Sequence, residues 1–299
     1  MISEIKTFLR IVATVKNWPV VSVAYFFPKK EFFGAFRNGN KIRILPGKWK
    51  DFINYVNFFR IFPFGIIEGE KVKIKYGIND LIFNCGKMGP CVLNEVFGVE
   101  IYKKALDEFD IKNRVVIDIG ASFGDTAVYF SLNGAKKVFA FEPFPSAYKL
   151  AEENIKLNNL QDKCQVINAA VGWGRGAYIE DLKFKYIFER DKKEYYNNKQ
   201  VPIMTLQDIV DKFGVKSAVL KIDCEGREYD IILNSSNELL RKFCYIIIEY
   251  HYGFENLRDK LLDAGFSVKC GKSAELYADD RQNGLKQMQV GYLYARNII

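Results

Sequence analysis

The stretch Val115-Val-Ile-Asp-Ile-Gly-Ala-Ser-Phe-Gly-Asp-Thr126 decides the fold. Its first five residues form a short apolar run interrupted only by Asp118, and small residues then lead into a helix-forming segment. An apolar strand, a glycine loop and a helix in that order make the unit of an open α/β sheet that binds ligands at the strand's carboxyl end. Gly120 and Gly124 let the backbone come close to such a ligand. The next apolar run, Phe139-Ala-Phe-Glu142-Pro143, ends with an acid 22 residues after Gly120. An acid at that point can accept hydrogen bonds from both hydroxyls of a ribose.

Working outward, apolar runs and amphipathic segments alternate. Strands are expected at 114–119, 137–141, 164–168, 218–222 and 243–249, and helices at 94–109, 126–132, 146–158, 206–212, 228–233 and 255–264. That alternation predicts an α/β fold with a mostly parallel sheet and helices on both faces. The runs 266–270 and 289–296, joined by a polar loop, read as an antiparallel C-terminal hairpin. Residues 1–90 have a different texture: hairpin signals around Asn38-Gly39 and Gly77–Asp80, a helix near 51–60, and otherwise irregular α+β structure. The expected division is a small N-terminal region, 1–90, and a catalytic domain, 91–299.

The cofactor class follows from the loop chemistry. A dinucleotide loop needs G-x-G-x-x-G to seat a pyrophosphate, and here Ser122 stands at the middle glycine. Asp118 and Asp125 flank the loop; they repel a pyrophosphate and suit the cationic sulfonium and amino group of S-adenosylmethionine. Thr126, at the helix start, and Pro143, after the ribose acid, complete this part of the expected site.

The formal net charge of +8 is uneven: residues 1–90 hold 15 Lys/Arg against 6 Asp/Glu. A basic region attracts anionic small molecules, nucleic acid or lipid headgroups, or is simply a solvated face. The six cysteines include no C-x-x-C pair, and with one histidine there is no zinc-knuckle spacing; reduced thiols and a cytoplasmic location are expected. The uncharged stretch 17–28 is too short to span a bilayer, so any membrane contact is peripheral.

Five segments in this order, VVIDIGASFGDTAVYF, AFEPFPSAYKLAEENIKLNNL, INAAVG, LKIDCEGREYDII and IIIEYHYGFENL, resemble the FkbM family of methyltransferases, especially archaeal-like members. The resemblance covers about residues 90–270. It implies a class I, Rossmann-like methyltransferase fold, S-adenosylmethionine as cofactor, and methyl transfer to oxygen, often a sugar hydroxyl. It also brings Asn168 and Ala169 of INAAVG to the cofactor and suggests that Glu95 reaches it. Family members more often carry Asn at the position of Ser122.

The acceptor side rests on the strand ends. Alternation puts Lys221 and Asp223 on one face of their strand, with Glu225 just beyond; Glu249 and His251 close the next strand. A hydroxyl acceptor must lose its proton as the methyl arrives, and these groups can take it; His251 has the ordinary pKa for that near neutrality. Asp223 also lies beside the cofactor. Two alternatives stay open: Asp223 and Glu225 as helix caps, and Asp223, Glu225 and Glu249 as oxygen ligands of magnesium. The expected partner is an anionic or glycan small molecule. Nucleic acid ranks behind it: the D/N-P-P-Y/F-type loop of base methylation is replaced by DCEG, which counts against a base acceptor and leaves ribose methylation less excluded. A non-catalytic cofactor-binding protein has no use for these acids.

Overall fold

The computed structural model describes residues 2–26, 30–172, 201–280 and 284–298. The chain forms two compact units, Met1–Ile101 and Tyr102–Ile299. The division falls after Ile101 and not at residue 90, because residues 90–99 pack within the first unit. There the Phe97 ring lies 5.2 Å from Phe83 and 5.3 Å from Tyr76, and the Cys91 thiol meets the Asn54 carbonyl.

In the first unit, helices α1 (Ile2–Thr14) and α2 (Trp18–Phe26) precede hairpin β1–β2 (Phe32–Ala35, Lys41–Ile44) and helix α3 (Trp49–Ile61). A three-stranded antiparallel sheet follows: β3 (Ile66–Glu68), β4 (Lys71–Tyr76) and β5 (Asn79–Asn84). Both hairpins were legible; α1 and α2 were not, and regular helix replaces the irregular structure expected there. The core is aromatic, with Phe52, Phe58 and Phe59 of α3 buried and the Phe36 ring tilted against Phe59 at 4.4 Å.

The expected helix over 94–109 is broken. A π-helical turn, Asn94–Val99, ends at Glu100, which adopts a left-handed conformation (φ 53°), and α4 (Lys103–Glu108) starts afresh in the second unit. The unit then continues with β6 (Val115–Ile119), α5 (Asp125–Leu132), β7 (Lys137–Phe141), α6 (Pro145–Leu157) and β8 (Cys164–Ile167). A short parallel pair, β9 (Ala170–Val171) and β10 (Ile203–Met204), leads to α7 (Leu206–Phe213). Next come β11 (Ala218–Ile222), α8 (Glu228–Leu233), α9 (Asn237–Leu240), β12 (Phe243–Tyr250) and α10 (Glu255–Asp263). The chain ends in β13 (Phe266–Cys270), β14 (Ala274–Asp280) and β15 (Gly284–Asn297).

Local chemistry sets several boundaries. Pro145 opens α6 at a position that needs no N–H donor. Thr205 and Asp208 form a reciprocal capping box on α7, which closes at left-handed Gly214.

The main sheet runs β13-β15-β12-β11-β6-β7-β8. β12, β11, β6, β7 and β8 are mutually parallel, and β15 is antiparallel to both β12 and β13. This is the Rossmann-like arrangement of class I methyltransferases, with the last strand inserted beside its edge neighbour. The polar loop expected between 270 and 289 is replaced in part by β14, which pairs along the first half of β15. The fold switches direction between β6 and β11, so their carboxyl ends open the crevice where ligands bind in such sheets.

Candidate active site

The loop after β6 is latched to β7. The Gly120 and Ala121 N–H groups both donate to the Phe141 carbonyl at 3.0 Å, and Gly124 closes the turn on Ala121. Gly120 sits at φ +78°, and a Cβ there would lie 1.7 Å from the Asp223 carbonyl oxygen, so only glycine fits. Glu142 is 4% exposed, with Oε2 accepting from the Ser122 N–H (2.8 Å) and Oε1 from the Phe144 N–H (2.9 Å). Burial pushes its carboxyl up to about 7 despite those two donors. Each oxygen keeps a lone pair for a further donor. Asn168 donates its side-chain amide to the Glu142 and Pro143 carbonyls and so clamps the end of β7; Ala169 beside it is fully buried.

Asp118 faces inward. It is completely buried, 3.0 Å from the Lys221 ammonium, and accepts a 2.5 Å hydrogen bond from the Thr126 hydroxyl. Its charge is therefore answered by Lys221, not held open for a cationic ligand as the loop chemistry suggested. Asp125 is buried too, and burial pushes it up to about 7, with Lys221 acting against the rise. Lys221 also donates to the Gly120 carbonyl at 2.7 Å and lies 4.0 Å from Asp223. Burial alone would lower its pKa, but Asp118 and Asp223 outweigh that and hold it above the ordinary lysine value.

The ends of β11 and β12 bring the expected acceptor residues together. His251 Nε2 stands 3.4 Å from Glu225 and 4.0 Å from Asp223. Glu225 has a left-handed backbone (φ 53°), uncommon for a non-glycine residue, followed by Gly226 at φ 100°. This kink turns the carboxylate back toward the histidine. Burial, together with Asp223 and Glu228, raises its pKa against the opposing pull of His251. Glu249 accepts a 2.6 Å hydrogen bond from the Tyr292 hydroxyl.

One residue escaped the sequence reading. Glu228 stood only at the start of a helix, yet it is fully buried behind His251. Its Oε1 accepts from the His251 backbone N–H (3.0 Å) and lies 2.9 Å from Nδ1, while Oε2 takes the Gly226 N–H. An acid in the first turn of a helix reads as a solvated dipole partner, and only its place after Glu225-Gly226 hinted otherwise. The consequence for His251 reverses the expectation of a near-neutral pKa. Burial would lower it, but the Glu228 hydrogen bond and charge, with Glu225 and Asp223, push it up to about 9. Near neutrality the ring is an imidazolium, already carrying the proton that a base would have to accept.

One atom each of Asp223, Glu249 and His251 lies within 4.8 Å of the others, close enough to share an ion. Glu225, expected in that set, is not part of it. The donor chemistry fits a metal poorly: a protonated Nε2 offers N–H in place of a lone pair, the Lys221 ammonium stands beside Asp223, and magnesium prefers oxygen ligands. Glu95 is exposed in the π-helical turn of the first unit, whereas every other expected site residue lies in the second.

The methyltransferase FkbM domain model matches residues 118–268, half of the chain. The chain belongs to the FkbM methyltransferase family. A ribosomal protein L11 methyltransferase of Carboxydothermus hydrogenoformans is 41% identical over 64 residues, 21% of each protein. The chain thus spans about a fifth of that curated relative's length. Among solved structures, a SAM-dependent methyltransferase from Agrobacterium tumefaciens aligns at TM-score 0.44 and 14% identity, over 78% of this chain and 71% of that one. A tRNA m1G37 methyltransferase of M. jannaschii aligns at TM-score 0.42 and 15% identity, over 78% and 59%.

Proposed function

We propose that the protein transfers a methyl group from S-adenosylmethionine to a hydroxyl oxygen of a sugar, glycan or other small molecule. The supporting observation is the juxtaposition at adjacent strand ends: the glycine loop and Glu142 after β6 and β7, and the acid–histidine cluster after β11 and β12. S-adenosylmethionine, when bound, supplies an electrophilic methyl and leaves as a neutral thioether. Glu142 would accept from the ribose hydroxyls, and the Gly120–Gly124 loop would hold the methionine end. Asp223 and Glu225, the carboxylates that stand beside His251 Nε2 at the opening, are placed for one of them to receive the hydroxyl proton as the oxygen attacks. His251, fixed by Glu228, donates toward Glu225 and holds that carboxylate in place. Positioned proton removal contributes roughly 10²–10⁴-fold.

The test begins with calorimetric titration of the protein with S-adenosylmethionine and with NAD. Tight binding of the former, lost in Glu142→Ala, is expected; preference for NAD overturns the class. Radiolabelled methyl transfer to oligosaccharide and RNA acceptors then separates a glycan hydroxyl from the nucleic-acid alternative. Asp223→Asn is expected to cut turnover about a hundredfold or more with cofactor affinity nearly unchanged. Activity lost to a chelator and restored by a divalent ion places a metal in the cluster instead.

A further inference from the structure

We propose that the outer face of α1 and α2 docks on an anionic lipid bilayer. α1 is apolar on two sides. Ile11 of α1, with Val15 just after it, is buried within the first unit, while Ile5, Leu9 and Val12, spaced i, i+4 and i+7, form a second stripe that the described residues leave largely uncovered. α2 repeats the pattern: Val21 is fully buried and Val20 and Val23 project outward. Phe8 of α1 meets Trp18 of α2 edge-on at 5.7 Å, so the two helices are neighbours. The outward residues Ile5, Phe8, Leu9, Val20 and Val23 are between 44% and 62% exposed.

Charge selects the occupant. Residues 1–50 carry ten Lys/Arg against two Asp/Glu, which equals the whole chain's net charge of +8. Lys6, Arg10 and Lys16 are all exposed on or just after α1. No helix among the described residues is long and apolar enough to cross a membrane. Short helices with outward aliphatic residues, a tryptophan and flanking cations suit an interface-parallel position, aliphatic groups among the acyl chains and ammonium groups at the phosphates. A nucleic acid uses the cations but gains little from exposed Leu and Val, since single strands stack on aromatic platforms. This inference does not rest on the methyl-transfer reading.

Co-sedimentation of the full chain with vesicles tests it. Phosphatidylcholine–phosphatidylglycerol vesicles are expected to bind the protein about tenfold or more tightly than phosphatidylcholine vesicles, with the preference shrinking as salt rises. The Leu9→Ser, Val20→Ser pair is expected to weaken binding to the mixed vesicles about tenfold. The Lys6→Glu, Lys16→Glu pair is expected to abolish the preference for anionic lipid. Circular dichroism and thermal unfolding check that both variants stay folded. Wild-type protein that pellets no better with anionic vesicles than without them overturns the proposal. So does an unaffected serine pair, or an RNA strand that binds more tightly than the vesicles and displaces the protein from them.

Discussion

Glu228 accepts two hydrogen bonds from one residue, the His251 backbone N–H and its ring, from a position with no solvent exposure. Its acid therefore sets both the orientation of the imidazole and its protonation. His251 is the chain's single histidine, so one imidazole signal reports the site without assignment. Nuclear magnetic resonance titration is expected to place its midpoint near 9, and Glu228→Gln to bring it down toward 6.5. A midpoint at or below 6.5 in the wild type would return His251 to the role of general base. Gly120 supplies a second test. Its positive φ and the 1.7 Å approach to the Asp223 carbonyl leave no room for a methyl group. Gly120→Ala is expected to destabilise the fold by about 1–3 kcal/mol and to weaken cofactor binding, read by thermal unfolding and calorimetry. Wild-type behaviour in both assays removes the close packing of this loop on β11.

β6 and β11 are neighbours in register, with Lys221 opposite Asp118. The pair is buried between two central strands, where Lys221 also reaches the Gly120 carbonyl and so ties the loop to the strand that carries Asp223. Removing one partner of a buried pair strands the other charge, at a cost of about 3–5 kcal/mol. Lys221→Met is therefore expected to lower the urea midpoint strongly, and adding Asp118→Asn to recover much of the loss. Equal and additive losses would show that the two side chains act independently. The element level is also where the sequence was most readable. Strands 115–119, 137–141 and 218–222 are apolar runs with one charged residue each, Asp118, Lys137 and Lys221, and glycines or acids mark their ends. The pattern missed α1, and the helix expected over 94–109 is broken; α2 and β14 show why such segments escape it. α2 is apolar except for Ser22, so it has no periodicity to distinguish helix from strand. β14 is built partly from polar residues that pair along β15, and strand pairing of that kind leaves no apolar alternation. The site divides the same way. Adjacent strand ends placed Asp223, Glu225, Glu249 and His251 together, whereas Glu228 and the inward turn of Asp118 depend on contacts that no spacing encodes.

Charge is distributed over the whole molecule in two ways. The net positive charge lies within residues 1–50, while residues 51–299 hold 34 Lys/Arg and 34 Asp/Glu. The candidate crevice concentrates ionisable groups that burial and neighbouring charges have moved from their ordinary values. Asp125 and Glu142 go from 3.8 and 4.5 up to about 7, and His251 goes from 6.5 up to about 9. All three bind protons more tightly in the folded state than in the unfolded one. Stability therefore falls as pH rises wherever the folded state holds the extra proton. For the two acids that stabilisation is complete below about pH 4 and lost as pH climbs through 7; for His251 it is complete below 6.5 and lost through 9. Each group is worth on the order of 3–4 kcal/mol over its window. The cofactor-free protein is expected to lose stability steadily when urea unfolding is compared at about pH 5.5, 7 and 8.5. Asp125→Asn and Glu142→Gln should flatten the lower part of that slope, because neither replacement titrates, and Glu228→Gln should flatten the upper part by releasing His251. Stability that rises between the first two conditions, with a slope unchanged by the amide substitutions, would mean that both acids are ionised in the folded protein and that the crevice is far wetter than its burial indicates.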